Sequence, residues 1–144
     1  GAVCKAEIVR GIGKALGMEV LAPKNATGDV DTDLFAKAEA TLELLQQYDF
    51  VVAHFNGTDE AAHRYDALEK VAFIERIDKE FLGTVLGAVQ EPLKIVICGD
   101  HVTSSVTGKH DKGVVPVLAW NSEQTTGKLE NYQDIIKFLM KECD

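Results

Sequence analysis

The sequence predicts an α/β fold with a mainly parallel sheet sandwiched by helices. Three short runs of consecutive apolar residues predict strands, at positions 50–55, 94–98 and 114–120. Continuous rather than alternating apolarity is typical of strands covered on both faces, as in parallel sheets. Helical patterns separate the three runs, and this alternation of strand and helix is characteristic of the class.

Weaker signals complete the strand prediction. Positions 18–21 predict a fourth strand, from Met18 to Leu21. Pro116 lies inside the third apolar run and has no N–H to donate. We therefore expect that run to lie at a sheet edge or to begin its pairing late.

Three helices are predicted from caps and apolar spacing. Asp33 and its neighbours offer N-caps for a helix from position 34, and Asp66 with Glu69 has the spacing of a capping box. A last helix is expected from Asn131 to Lys141. The apolar positions of these helices are, in order, Leu34, Phe35, Ala38, Leu42 and Leu45, then Leu68, Val71, Ile74, Ile77, Phe81 and Val85, then Ile135, Ile136, Leu139 and Met140.

Composition excludes several classes of protein. The 144 residues are 46% hydrophobic, enough for one core, and the formal net charge of −8 argues against binding nucleic acid or anionic membranes through bulk charge. No apolar run reaches the ~20 residues of a membrane helix. Cys4, Cys98 and Cys143 are far apart, which disfavours a disulfide framework or a thiolate zinc site and predicts a cytoplasmic protein.

Candidate chemistry lies where the predicted strands end, because open α/β sheets bind ligands beyond the carboxyl ends of their strands. Asp59 and His63 follow the first apolar run, and share one face if a helical turn begins near position 58. Asp100 and His101 follow the second run. His110 lies in a loop rich in Gly, Ser and Thr.

Taken singly, residues of these types more often cap a helix or fill space than bind a metal, but together they predict a metal site. Carboxylate and imidazole without thiolate suit Mn²⁺, Zn²⁺ or Mg²⁺. Five candidate ligands exceed the four of a tetrahedral zinc and favour two ions. Two such ions stabilise phosphoryl transfer, and their positive charge would let an acidic protein hold a phosphate.

Other motifs are excluded or assigned structural roles. The stretch from Gly11 to Gly17 approaches a dinucleotide fingerprint, but its spacing is off by one and no strand is predicted before it. Tight helix–loop packing is the expected role of these glycines. Gly108 and Lys109 do not form a Walker loop, because His110 follows them. The hydroxyl residues after His101 are expected to be loop residues: Thr103, Ser104, Ser105 and Thr107.

Six blocks of sequence, spread from about residue 5 to residue 120, carry a resemblance to a known family. The chain resembles the archaeal-type 2,3-bisphosphoglycerate-independent phosphoglycerate mutases of the alkaline phosphatase superfamily. In the family's order, the blocks are Arg10-Gly11-Ile12-Gly13 with Gly17-Met18, Ala26-Thr27-Gly28 with Asp31-Thr32-Asp33, Asp59-Glu60-Ala61 with His63, Ile74-Glu75-Arg76-Ile77-Asp78, Gly99-Asp100-His101, and Gly108-Lys109-His110.

The resemblance implies an alkaline phosphatase-like metalloenzyme core and a ligand set. Asp59, His63 and His110 would hold one divalent ion, and Asp100 with His101 would help to hold a second, with Mn²⁺ the favoured metal. The implied reaction interconverts 3- and 2-phosphoglycerate in glycolysis through a phosphoserine intermediate.

The resemblance also implies which part of the enzyme this is. Residues 1–144 correspond to the C-terminal part, and the family's nucleophilic serine lies in an N-terminal part outside the chain. We therefore expect the chain alone to be inactive, and to contact either that part or another copy through exposed sheet edges. The substrate would be a small phosphorylated molecule.

Two departures from the family pattern keep other functions open. Asn56-Gly57-Thr58 and Val114 replace residues that are usual in the family. A phosphatase or another phosphomutase of the superfamily is the first alternative. A non-catalytic metal-binding module is the second.

Overall fold

The computed structural model describes residues 1–122, 129 and 131–140 in two compact units. The first unit comprises Gly1–Ala88 and Thr103–Lys109, and the second comprises Val89–Val102 and the described residues from His110 onward. Cys143 and Lys141, which entered the sequence predictions, lie outside the described residues. Within the described ranges, no helix is both long and apolar enough to cross a membrane.

A three-stranded parallel sheet forms the centre of the first unit and confirms the predicted α/β class. Strands β1 (Ala2–Val3), β2 (Val20–Leu21) and β3 (Val52–Ala53) pair in the order β2-β1-β3. The central strand was not predicted, and the expectation that no strand precedes Gly11 is therefore wrong. With only two residues, β1 is too short to show a periodicity, although both of its side chains are buried.

Helix α1 (Glu7–Ala15) connects β1 to β2 and contains Gly11 and Gly13, whereas Gly17 follows it. Gly13 is buried, and a Cβ built there would lie 3.1 Å from Cγ2 of Val20. The missing side chain therefore lets the helix approach β2 closely. The expected tight packing holds for Gly13 only, because a Cβ on Gly11 or Gly17 would meet nothing within 4 Å.

Helix α2 (Leu34–Leu45) begins where its cap predicts, because Asp33 accepts a hydrogen bond from the N–H of Ala36 at 2.9 Å. Its buried face matches the prediction only in part. Leu34 and Ala38 are buried as expected. Phe35 is 55% exposed, whereas Lys37 is 1% exposed. The Lys37 ammonium donates to the carbonyl oxygen of His54 at 2.8 Å, and this partner satisfies a charged group that apolar spacing alone places in solvent.

The long helix predicted after Asp66 is divided into three segments: α4 (Ala67–Arg76), a π-helical segment (Ile77–Leu82) and α5 (Gly83–Ala88). Asp66 accepts from the N–H of Glu69 at 2.8 Å, which confirms the predicted cap. Leu68 is 84% exposed, and Phe73 is buried instead. The wider π turn changes the angular spacing of side chains, so one 3.6-residue period cannot describe the whole segment.

The second unit contains an antiparallel pair of strands. Strand β4 (Lys94–Cys98) matches its prediction, and β7 (Val117–Asn121) begins immediately after Pro116, as that proline required. Their register pairs Lys94 with Asn121. The antiparallel direction departs from the predicted parallel sheet, because apolarity reports the environment of a strand and not its direction.

Besides β7, three elements follow β4 in the described part of the chain. Strands β5 (Val102–Ser104) and β6 (Lys109–Asp111) form a two-stranded sheet. His110 and Thr103 therefore lie in strands rather than in the predicted loop, because the turn between the strands is shorter than the polar stretch that suggested a loop. Helix α6 (Tyr132–Met140) follows, and its Tyr132 hydroxyl donates to the carbonyl oxygen of Gly99 at 2.7 Å.

Candidate metal centre

In the first unit, α3 (Gly57–His63) carries two of the predicted ligands. The helix begins four residues after β3 ends, so its side chains lie beyond the carboxyl end of that strand. Asp59 and His63 share one face, and the distance from His63 Nε2 to Asp59 Oδ2 is 3.3 Å. The predicted helical turn and its pair of side chains are therefore present.

Thr103 of β5 orients the Asp59 carboxylate. Its hydroxyl donates to Asp59 Oδ1, and its carbonyl oxygen accepts from Lys70 Nζ at 2.9 Å. Thr103 is 6% exposed, so this contact is shielded from water. The prediction that Thr103 is a loop residue is therefore wrong. The one available signal was the pair of β-branched residues, Val102 and Thr103, which favours a strand.

The imidazole of His63 is held at its other nitrogen. Nδ1 of His63 lies 2.8 Å from the carbonyl oxygen of Gly108. A carbonyl oxygen can only accept, so this geometry assigns the proton to Nδ1. Neutral His63 then presents Nε2 as an acceptor towards Asp59, whose carboxylate is also an acceptor. A cation bound by both atoms, which lie 3.3 Å apart, would neutralise this pair.

The second unit carries the other three predicted ligands. Asp100 and His101 follow β4 directly, and the distance from His101 Nε2 to Asp100 Oδ2 is 3.6 Å. The ring centroids of His101 and His110 are 4.0 Å apart, with 35° between the ring planes. Both rings offer a nitrogen, and these nitrogens lie within 4.8 Å of each other. Two imidazole nitrogens this close could bind one ion together.

An ion-pair network fixes the carboxyl end of α3. Arg64 donates to both carboxylate oxygens of Asp29 at 2.8 Å, and to Glu69 of α4 at 2.7 Å. The bidentate hydrogen bonds from Arg64 hold the pKa of the Asp29 carboxyl below its ordinary value. Arg64 directly follows His63, so the network also limits the movement of that histidine.

The donor groups fit a divalent metal. Each unit brings at least one carboxylate and one imidazole within about 4 Å, and these are the ligand types that Mn²⁺, Zn²⁺ and Mg²⁺ accept. Neither of the two cysteines that the structure describes, Cys4 and Cys98, belongs to these groups. Burial raises the pKa of both Cys4 and Cys98, so these two thiols are poorer metal ligands than ordinary cysteines.

Comparison with known proteins gives a consistent set of relatives. A 2,3-bisphosphoglycerate-independent phosphoglycerate mutase of Methanopyrus kandleri is 42% identical over 135 residues, which cover 92% of this chain and 32% of the relative. The enzyme of the same name from Thermococcus kodakarensis is 40% identical, over 82% of this chain and 29% of the relative. The chain thus spans about a third of the length of these relatives.

A solved structure supports the same grouping. The structure of the PH0037 protein from Pyrococcus horikoshii matches with a TM-score of 0.78 and 38% identity, over 83% of this chain and 36% of that one. The family model of the Metalloenzyme superfamily matches residues 2–139, nearly the whole sequence. The chain therefore belongs to the Metalloenzyme superfamily, with the alkaline phosphatase-like α/β core that its sequence predicted.

Proposed function

We propose that this chain supplies metal ligands to an enzyme that interconverts 3- and 2-phosphoglycerate. The proposed ligands of two divalent ions, with Mn²⁺ preferred over Zn²⁺ or Mg²⁺, are Asp59, His63, Asp100, His101 and His110. The position of the His63 imidazole is the main observation that supports the proposal. Its Nδ1 lies against the Gly108 carbonyl oxygen, and its Nε2 lies 3.3 Å from a carboxylate oxygen, so the pair is arranged to share a cation.

The relatives support the choice of reaction. Those compared are named as phosphoglycerate mutases, and about two fifths of the aligned residues are identical, over most of the length of this chain. When bound, divalent ions stabilise the charge that develops on the attacking and leaving oxygens of a phosphoryl transfer. In an acidic chain with a net charge of −8, they would also attract the anionic substrate.

The residues of this chain would position the ions rather than attack the substrate. Thr103 orients the Asp59 carboxylate, and the carbonyl oxygen of Gly108 orients His63. The resemblance assigns the phosphoserine intermediate to a serine in the N-terminal part of the enzyme. We therefore propose that residues 1–144 act as the C-terminal part of the phosphomutase, are inactive alone, and work in the cytoplasm.

An enolase-coupled assay on the full-length enzyme that contains this chain tests the proposal. With Mn²⁺ present we expect conversion of 3-phosphoglycerate to 2-phosphoglycerate. Asp59→Asn should lower kcat by more than ~100-fold. Mutation of a residue that only hydrogen-bonds to a metal ligand already lowers activity about 10–100-fold, and the loss of a ligand itself should have a larger effect. Asp49→Asn, which changes an exposed acid away from the site, is the matched control.

Three results would count against the proposal. Absence of flux in the unaltered enzyme with Mn²⁺ would reject the mutase reaction. Release of inorganic phosphate instead of 2-phosphoglycerate would favour a phosphatase of the same superfamily. Equal activity of the Asp59→Asn and Asp49→Asn enzymes would remove Asp59 from the ligand set.

A further inference from the structure

Tyr65 has an unusual backbone at the end of α3. Its φ is +64°, the only positive value outside glycine among the residues that the structure describes. Its N–H donates to the carbonyl oxygen of Ala62 at 3.0 Å and closes the last turn of the helix. Glycine usually occupies this left-handed position after a helix, because a Cβ is disfavoured there. Tyrosine at this place therefore needs a reason outside the helix.

The contact of its ring supplies that reason. A Cβ built on Gly108 would lie 2.8 Å from Cζ, 3.0 Å from Cε1 and 3.1 Å from the hydroxyl oxygen of Tyr65. The ring thus lies directly against the backbone of Gly108. Gly108 itself has a φ of +61°, and its N–H donates to the carbonyl oxygen of Ser104 at 2.8 Å.

The same glycine carries the oxygen that contacts His63. The Tyr65 ring packs on Gly108, and the Gly108 carbonyl oxygen lies 2.8 Å from Nδ1 of His63. All three residues belong to the first unit, and only Arg64 separates His63 from Tyr65 in the sequence. The left-handed backbone at Tyr65 reverses the direction of the chain after α3, and the Tyr65 ring thereby reaches Gly108.

We propose that Tyr65 and Gly108 are positioning residues that hold His63 in the tautomer with its proton on Nδ1 and its lone pair on Nε2. The Tyr65 ring keeps the backbone of Gly108 in place, and the Gly108 carbonyl oxygen accepts a hydrogen bond from the Nδ1–H of His63. Fixing the tautomer of a histidine ligand through its second nitrogen raises metal affinity. This inference rests on the proposed role of His63 as a ligand, but the tautomer can be measured without metal.

Tyr65→Gly separates a positioning role from a merely structural one. Glycine suits the left-handed position, so the variant should melt at the same or a higher temperature than the unaltered chain. It also removes the ring from Gly108. We expect Mn²⁺ affinity, measured by calorimetry with Mn²⁺ alone, to fall about 10-fold or more despite unchanged stability.

Gly108→Ala is the second variant, and Gly17→Ala is its matched control. Gly17 also has a positive φ, of +74°, but a Cβ there would meet nothing within 4 Å. Both substitutions therefore carry the same backbone cost, and only that at Gly108 displaces the Tyr65 ring. We expect weaker Mn²⁺ binding in Gly108→Ala and unchanged binding in Gly17→Ala.

Nitrogen-15 NMR of the metal-free chain at pH 8, above the ordinary histidine pKa of about 6.5, gives the tautomer directly. We expect the Nδ1-protonated form of His63 in the unaltered chain and a mixture of tautomers in Tyr65→Gly. A proton on Nε2 in the unaltered chain, or unchanged tautomer and Mn²⁺ affinity in Tyr65→Gly, would overturn the inference. If the unaltered chain shows the expected tautomer but binds no Mn²⁺, the positioning stands and the proposed ligand role fails.

Discussion

Replacing the buried Lys37 by methionine should change the way stability depends on pH. Lys37 is 1% exposed, donates to the carbonyl oxygen of His54 and lies 4.7 Å from the ring centroid of Phe55. Burial lowers the pKa of its ammonium to about 8. His54 and Phe55 lead from β3 into α3, so Lys37 supports the segment that carries Asp59.

The sign and size of the effect follow from proton linkage. In the unfolded chain the lysine keeps its ordinary pKa of 10.5, so between about pH 8 and 10.5 the unfolded state binds one more proton than the folded state. Stability therefore rises with pH across that window, by up to about 1.4 kcal/mol per pH unit. Over the whole window this contribution reaches about 3 kcal/mol. Below pH 8 both states hold the proton, and the contribution is constant.

Urea denaturation of the unaltered chain and of Lys37→Met, from pH 7 to pH 10.5, isolates this contribution. Subtracting the two free energies of unfolding removes the titrations that both proteins share. We expect the difference to shift by about 3 kcal/mol in favour of the unaltered chain as the pH rises. Lys14→Met, at an exposed lysine of α1, should show no such shift. A difference for Lys37→Met that stays constant with pH would refute the reasoning.

Two further substitutions test the packing of the site. Thr103→Val removes the hydroxyl that donates to Asp59, so Mn²⁺ affinity measured by calorimetry should fall about 10–100-fold, and an unchanged affinity would show that Thr103 does not orient the ligand. Gly57→Ala would place a Cβ 2.6 Å from Cε1 of Phe73 and 2.9 Å from the backbone nitrogen of Val30, so overpacking should cost about 1–3 kcal/mol in thermal denaturation. Gly87→Ala, where a Cβ meets nothing within 4 Å, is the control, and equal stability of the two variants would contradict the predicted clash.

Local signals in the sequence predicted the parts of the fold that depend on near neighbours. The cap at Asp33 and the capping box at Asp66 both formed, because each hydrogen bond joins residues three apart. The four-residue spacing of Asp59 and His63 likewise became a pair on one helical face. Strand β4 was predicted residue for residue from its run of apolar side chains.

Features that depend on distant partners were missed. The burial of Lys37 is possible because a carbonyl oxygen 17 residues away accepts a hydrogen bond from its ammonium, and the spacing of apolar residues does not reveal that partner. Thr103 contacts Asp59 across 44 residues. Strand β1 has two residues and is recognisable only from its two neighbours in the sheet. The tautomer of His63 depends in the same way on a glycine 45 residues along the chain.

Pulsed electron paramagnetic resonance of Mn²⁺ added to the chain tests the central claim, that these residues bind a divalent ion. Imidazole ligands give nitrogen-14 modulation that is absent from hydrated Mn²⁺. We predict nitrogen modulation for the unaltered chain and its loss or reduction in His63→Ala and His101→Ala. A spectrum of hydrated Mn²⁺ at excess protein, or modulation that neither substitution changes, would contradict the account.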